Sequence, residues 1–143
     1  MKTAQESIEE RSFFNAIKTL NGAPEVDRDA LWNYRMGYAL YFFAVNRYPK
    51  LCALRLALQY LEAAEHDAAG KAEIERIFFG KPGGMTERCK EAVENKHGWY
   101  AEEPVSMSVE QLVCEVEADW ESLRRAVTAF FERTQRREIV ITH

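Results

Sequence analysis

The residues of this chain that could do chemistry are few and scattered. Glu94 and His97 have the Glu-x-x-His spacing that sets a carboxylate and an imidazole on one helix face, as in carboxylate-bridged di-metal bundles. Such a centre needs a second copy and two further glutamates, and His66, with Glu62 one turn before it, does not supply that copy. There are three histidines in all, one of them the terminal His143, so neither a metal site nor a cofactor is expected. Cys89 and His97 could meet as nucleophile and base, but nothing in their spacing requires it. The run GKPGG at residues 80–84 lacks the order of a phosphate-cradling loop, and no strand precedes it. An enzyme is therefore not expected, and a Cys89 or His97 centre is kept only as a minor alternative.

The aromatic residues say more. Between Asp29 and Asp67 the chain reads DALWNYRMGYALYFFAVNRYPKLCALRLALQYLEAAEHD, with more ring mass than one helix face needs for burial. Tyr34, Tyr38 and Tyr41 follow i, i+4, i+7 spacing and share a side of one helix. Tyrosine suits a wet groove, because its ring gives apolar contact area while its hydroxyl stays solvated or bonded to a ligand. Stripes at helical spacing are also how cores are packed, so rings buried with their hydroxyls at the surface are the competing reading.

The elements that must position these rings are helices. Ser7 followed by Glu10 has capping-box spacing, and Phe13, Ile17 and Leu20 then keep a helical period until Asn21 and Gly22, a pair suited to a left-handed turn. APEVDRD is a connector, with Asp27 or Asp29 available to cap a second helix over about Ala30 to Asn46. Tyr48-Pro49 marks a boundary. Leu51, Leu54, Leu58 and Leu61 then stripe a third helix that ends near Gly70, with Ala53, Ala57 and Ala64 as small residues allowing close approach. KAEIERIFF is a short helix, GKPGG a loop, and Thr86 the cap of a fifth helix closed near Gly98. The chain from Trp99 to Met107 reads as extended. Ser108 with Gln111 opens the longest helix, 108–136, and the tail REIVITH is a frayed end or a short strand. The expected fold class is all-α: one domain over 1–143, an irregular bundle or short superhelix of five to six helices, with the hairpin at 29–67 in its centre.

This hairpin resembles a tetratricopeptide-like repeat, the two-helix unit that stacks into curved solenoids. Trp32, Met36, Gly37, Ala39 and Leu40 match its first-helix signature, with the tryptophan displaced by one position. Ala57, Leu58, Leu61 and Ala64 match its second. WNYRMGYALYFF is most similar to the degenerate single repeats of bacterial cytosolic proteins. The link AVNRYPKLCALRL is several residues longer than the family period of about 34 residues allows, and the pattern does not clearly recur. The resemblance implies a groove lined by Leu31, Tyr34, Tyr38, Tyr41 and Val45, flanked by Arg35, Arg47 and Lys50. Tyrosines stand where the family's carboxylate clamp has lysine and asparagines, so a clamp is not implied.

Composition sets the remaining bounds. A hydrophobic content of 47% suffices for a packed core without a staple, and a net charge of -4 gives no support to a nucleic-acid partner. MKTAQESIEE has no apolar signal core, and no apolar run approaches the roughly 20 residues that span a bilayer, so a cytoplasmic protein with no membrane partner is expected. Cys52, Cys89 and Cys114 are widely spaced and read as buried, reduced thiols. Into and along the last helix the chain holds seven acidic residues and no basic ones from Glu102 to Glu121, then five arginines against Glu132 alone from Arg124 to Arg137. That polarity complements the helix dipole. It also suits antiparallel pairing of two copies, with Trp120, Leu123, Val127 and Phe131 as the dimer face. The expected function is a protein-protein interaction module or adaptor that takes a partner's peptide or helix in an aromatic groove. The alternative is a small inhibitor or immunity-type protein that blocks an enzyme in a one-to-one complex.

Overall fold

The structure, a computed structural model, describes residues 2–78, 82–96 and 106–141. These residues are helical throughout apart from turns and short connectors, and no strand occurs among them. The chain divides into two compact units, Met1–Val109 and Glu110–His143.

The first unit begins with α1 (Ala4–Glu9), capped by Thr3, whose hydroxyl oxygen accepts the Glu6 N–H at 3.1 Å. The capping residue is therefore Thr3 and not Ser7, which is buried inside the helix. The expected single first helix is two. Arg11 takes a left-handed φ of 63°. Its N–H bonds the Ile8 carbonyl at 3.0 Å and the next N–H, of Ser12, bonds the Ser7 carbonyl at 2.8 Å. That pair of bonds is the Schellman closure of a helix, made here without glycine. α2 (Phe13–Asn21) follows. Gly22 ends it at φ -81°, so the left-handed turn expected there is absent, and the Arg28 guanidinium instead satisfies the Asn21 and Ala23 carbonyls, each at 3.2 Å.

After a 3-10 turn at Glu25–Asp27, Asp29 caps α3 (Ala30–Arg47) by accepting the Trp32 N–H at 2.9 Å. Tyr48 and Pro49 close it, and α4 (Leu51–Ala64) runs back along it. α3 packs against α1, α2, α4, α5 and α6. It is therefore buried nearly all round, which accounts for its aromatic excess: rings face neighbours on several sides instead of one. Met36, Leu40, Ala57 and Leu61 are fully buried. A Cβ built on Gly37 would lie 2.6 Å from Leu61 Cγ and 3.0 Å from the Ala57 carbonyl oxygen, so only glycine permits this helix spacing.

Three boundaries differ from the sequence reading. α4 stops at Ala64, and α5 (Ala68–Phe78) starts beyond Asp67, whose carboxylate accepts the Ala69 N–H at 3.1 Å. Gly70 lies in the first turn of α5, not at a helix end, and a Cβ there would collide with that of Ala30. α6 (Pro82–Lys96) takes in the PGG of the expected loop, because proline fits the first turn of a helix, where its missing N–H costs nothing. Thr86 is consequently buried within α6 and is not its cap. The expected close near Gly98 and most of the expected extended stretch fall outside the described residues.

The described residues of the second unit all belong to one helix, α7 (Val109–Ile141), which begins one residue after Ser108. Its backbone continues through Ile141, so the β-branched tail is neither strand nor frayed there. No helix among the described residues is long and apolar enough to cross a membrane.

Candidate functional site

α1, α2, α3 and α5 together border a recess of about 420 Å³ in the first unit. Phe13, Tyr38, Phe42, Ile77 and Phe78 form its apolar wall, and Gln5, Glu9 and Arg11 its polar rim. The left-handed turn at Arg11 matters here: it bends the chain so that both α1 and the first residue of α2 reach the same opening. The rings form one connected cluster. Tyr38 lies 4.9 Å from Phe42 and 5.1 Å from Phe78 between centroids, and Phe13 stacks on Phe42 at 5.3 Å. Arg35 donates through Nε to Gln5 Oε1 at 3.1 Å, which fixes the rim to α3. Burial lowers the Arg35 pKa from the ordinary guanidinium value, with the charges of Asp29 and Glu73 opposing.

The tyrosine stripe divides. Tyr34 and Tyr41 are buried, at 4% and 7% exposure, and act as packing residues rather than groove lining. The reason for Tyr34 is α5, whose Phe78 meets its ring edge-on at 4.8 Å. Tyr38 is half-buried and reaches the recess. Leu31 is half-buried; Val45 and Arg47 are exposed at the far end of α3, and the Lys50 ammonium sits 4.8 Å over the Tyr48 ring. The structure thus brings Tyr38 and Arg35 to the site and leaves Leu31, Val45, Arg47 and Lys50 out of its lining. Sequence reasoning missed Phe13, Phe42, Ile77 and Phe78. Phe42 had a signal, being four residues beyond Tyr38 on the same face.

Nucleophilic chemistry finds little support in the cysteine. Cys89 is fully buried, its Sγ donates to the Leu54 carbonyl at 3.4 Å, and burial with help from Glu62 pushes the thiol up to about 12. Cys52 is likewise buried and forms no disulfide. Cys114, in α7, is exposed, contrary to the expected buried thiol. His97 lies outside the described residues, and among the described residues no three His, Cys, Asp or Glu side chains stand together in a way that could hold a metal ion.

The buried thiol and phenol make stability depend on alkaline pH. Burial also pushes Tyr34 up to about 12, with Tyr38 adding to the rise. The folded chain keeps both protons, while the unfolded chain releases them above about pH 8.5 for cysteine and 10 for tyrosine. Unfolding therefore releases protons, and stability that is complete below those values falls as pH rises toward 12. The unfolding free energy from urea denaturation should be flat near neutrality and decline above about pH 8.5 for the thiol and above about pH 10 for the phenol, each by up to about 1.4 kcal/mol per pH unit. Cys89→Ala should make the decline shallower; an unchanged slope would show that the thiol is not held protonated.

The fold and recess define an all-α protein with an aromatic-walled opening among four helices. No family model, no curated protein and no solved structure matches the chain.

Proposed function

We propose that the chain is a protein-binding module whose recess takes an apolar side chain from a partner's peptide or helix. The observation that carries this reading is the opening itself: Tyr38, Phe42, Phe78 and Phe13 line one recess beneath a polar rim. Rigid rings that give contact area at low entropic cost, surrounded by groups that tolerate water, are what binding hot spots are made of. The α3–α4 hairpin, with Gly37 seated on Leu61 and Ala57, supports a tetratricopeptide-like reading of residues 29–67. The binding surface differs from the one that resemblance implies, since it uses one tyrosine of the three and borrows α1, α2 and α5.

Tyr38→Ala removes a wall of the recess, and Glu9→Arg reverses an exposed rim charge. Each should weaken binding to the native partner by about tenfold or more, equivalent to about 1.4 kcal/mol, while far-UV circular dichroism stays native. Full affinity in both variants would rule out the recess as the binding surface.

A further inference from the structure

The described part of α7 carries an apolar face of a different kind. Trp120, Leu123, Val127, Phe130 and Phe131 are exposed at 51%, 64%, 50%, 62% and 62%, whereas in the first unit the exposed Val26 and Val45 stand singly, far apart in the chain. A run of large apolar side chains at least half exposed along one helix marks an interaction surface. Trp120, Leu123, Val127 and Phe130 are spaced by three, four and three residues, the a and d positions of a two-stranded seam. Phe131 falls one position beside that seam.

We infer that this face joins two copies of the chain, paired antiparallel along α7 about a two-fold axis beside Arg125. In that register Trp120 of one copy layers against Phe130 of the other, and Leu123 against Val127, so every exposed seam residue finds a large partner. Asp119 then lies across from Arg133, twice by symmetry. Phe131 flanks the seam beside Glu117. Arg124 meets its own copy near the axis, where Glu121, 3.8 Å from Arg124 and 3.5 Å from Arg125 within the same helix, supplies the counter-charge. Charge favours the antiparallel direction. Asp119 finds an arginine beside the seam in either direction, Arg133 in the antiparallel pair and Arg124 in a parallel one, but only the antiparallel pair lays the acidic stretch from Glu115 to Glu121 alongside the arginine half of the other copy, whereas a parallel pair lays like halves side by side. One helix that carries both complementary halves, centred on its own apolar seam, matches a second copy of itself.

Analytical ultracentrifugation of the full chain at tens of micromolar should give twice the chain mass of 16.6 kDa. Leu123→Glu combined with Val127→Glu should return the mass to that of one chain with helicity retained, because both positions are exposed in the single chain. Asp119→Arg alone should weaken association by about tenfold, and adding Arg133→Asp in the same chain should restore it. A wild-type monomer at the highest concentration would overturn the inference. A dimer indifferent to the seam variants would do so too, as would a charge swap that fails to restore association, the result expected of a parallel pair or another register.

Discussion

Trp32→Ala is expected to lower the unfolding free energy of the first unit by about 3–5 kcal/mol. The indole is 6% exposed and ties together elements that meet nowhere else in the same way. Its Nε1–H donates to the Leu20 carbonyl in the last turn of α2 at 2.9 Å, its ring carries the Arg28 guanidinium at 4.6 Å, and Tyr60 of α4 meets it edge-on at 5.6 Å. Truncation leaves a cavity bordered by α2, the connector and α4, and frees Arg28 from its platform. Because domains are stable by only about 5–15 kcal/mol, the loss is a large share of the total. Trp32→Phe keeps most of the volume and removes the N–H. It should cost about 1–2 kcal/mol, since the Leu20 carbonyl keeps the Ala23 N–H at 3.1 Å. Urea denaturation followed by circular dichroism checks both, and a native midpoint for the alanine variant would mean that Trp32 does not join these elements.

The second large effect is at the contact between Gly37 and Leu61. Gly37→Ala places a methyl 2.6 Å from Leu61 Cγ and 3.0 Å from the backbone oxygen of Ala57. The leucine can turn aside, but the backbone oxygen moves only if the helices separate. Alanine recovers up to about 1 kcal/mol of helix propensity, so a net loss of about 1–3 kcal/mol is expected. Leu61→Ala alone, at a site with no exposure, should cost about 2–5 kcal/mol by leaving a cavity. Combined, the two changes relieve each other, and the double variant should be more stable than the sum of the singles predicts by about 1 kcal/mol or more. Strict additivity would show that Gly37 is not there to admit Leu61.

These two sites also show how far the sequence can be read. The signals that were legible are local: Asp29 before a helical run, the Tyr48-Pro49 boundary, and small residues at Gly37 and Ala57 beside a leucine stripe, each with a physical meaning independent of the rest of the chain. Where reading failed, the expected marker was absent or served another purpose. Arg11 closes α1 in a left-handed conformation that glycine usually signals. Gly70 is a glycine because Ala30 presses on it, not because a helix ends there. In Pro82, Gly83 and Gly84 the proline opens a helix, and the glycines lie in its first turn. The site was half legible for a related reason. Helical spacing identified the face carrying Tyr34 and Tyr38, but whether a ring on that face meets solvent depends on Phe78, a residue more than 40 positions away whose arrival no periodicity announces.

The recess is tested most directly by placing a photoreactive benzophenone side chain at position 38, and in a second chain at Gln59, an exposed residue of α4. After irradiation in a lysate of the native host, the account predicts one covalent adduct with a single protein species from position 38 and none from position 59. Absence of an adduct at position 38, or the same adduct from both positions, would contradict the claim that partners enter at Tyr38.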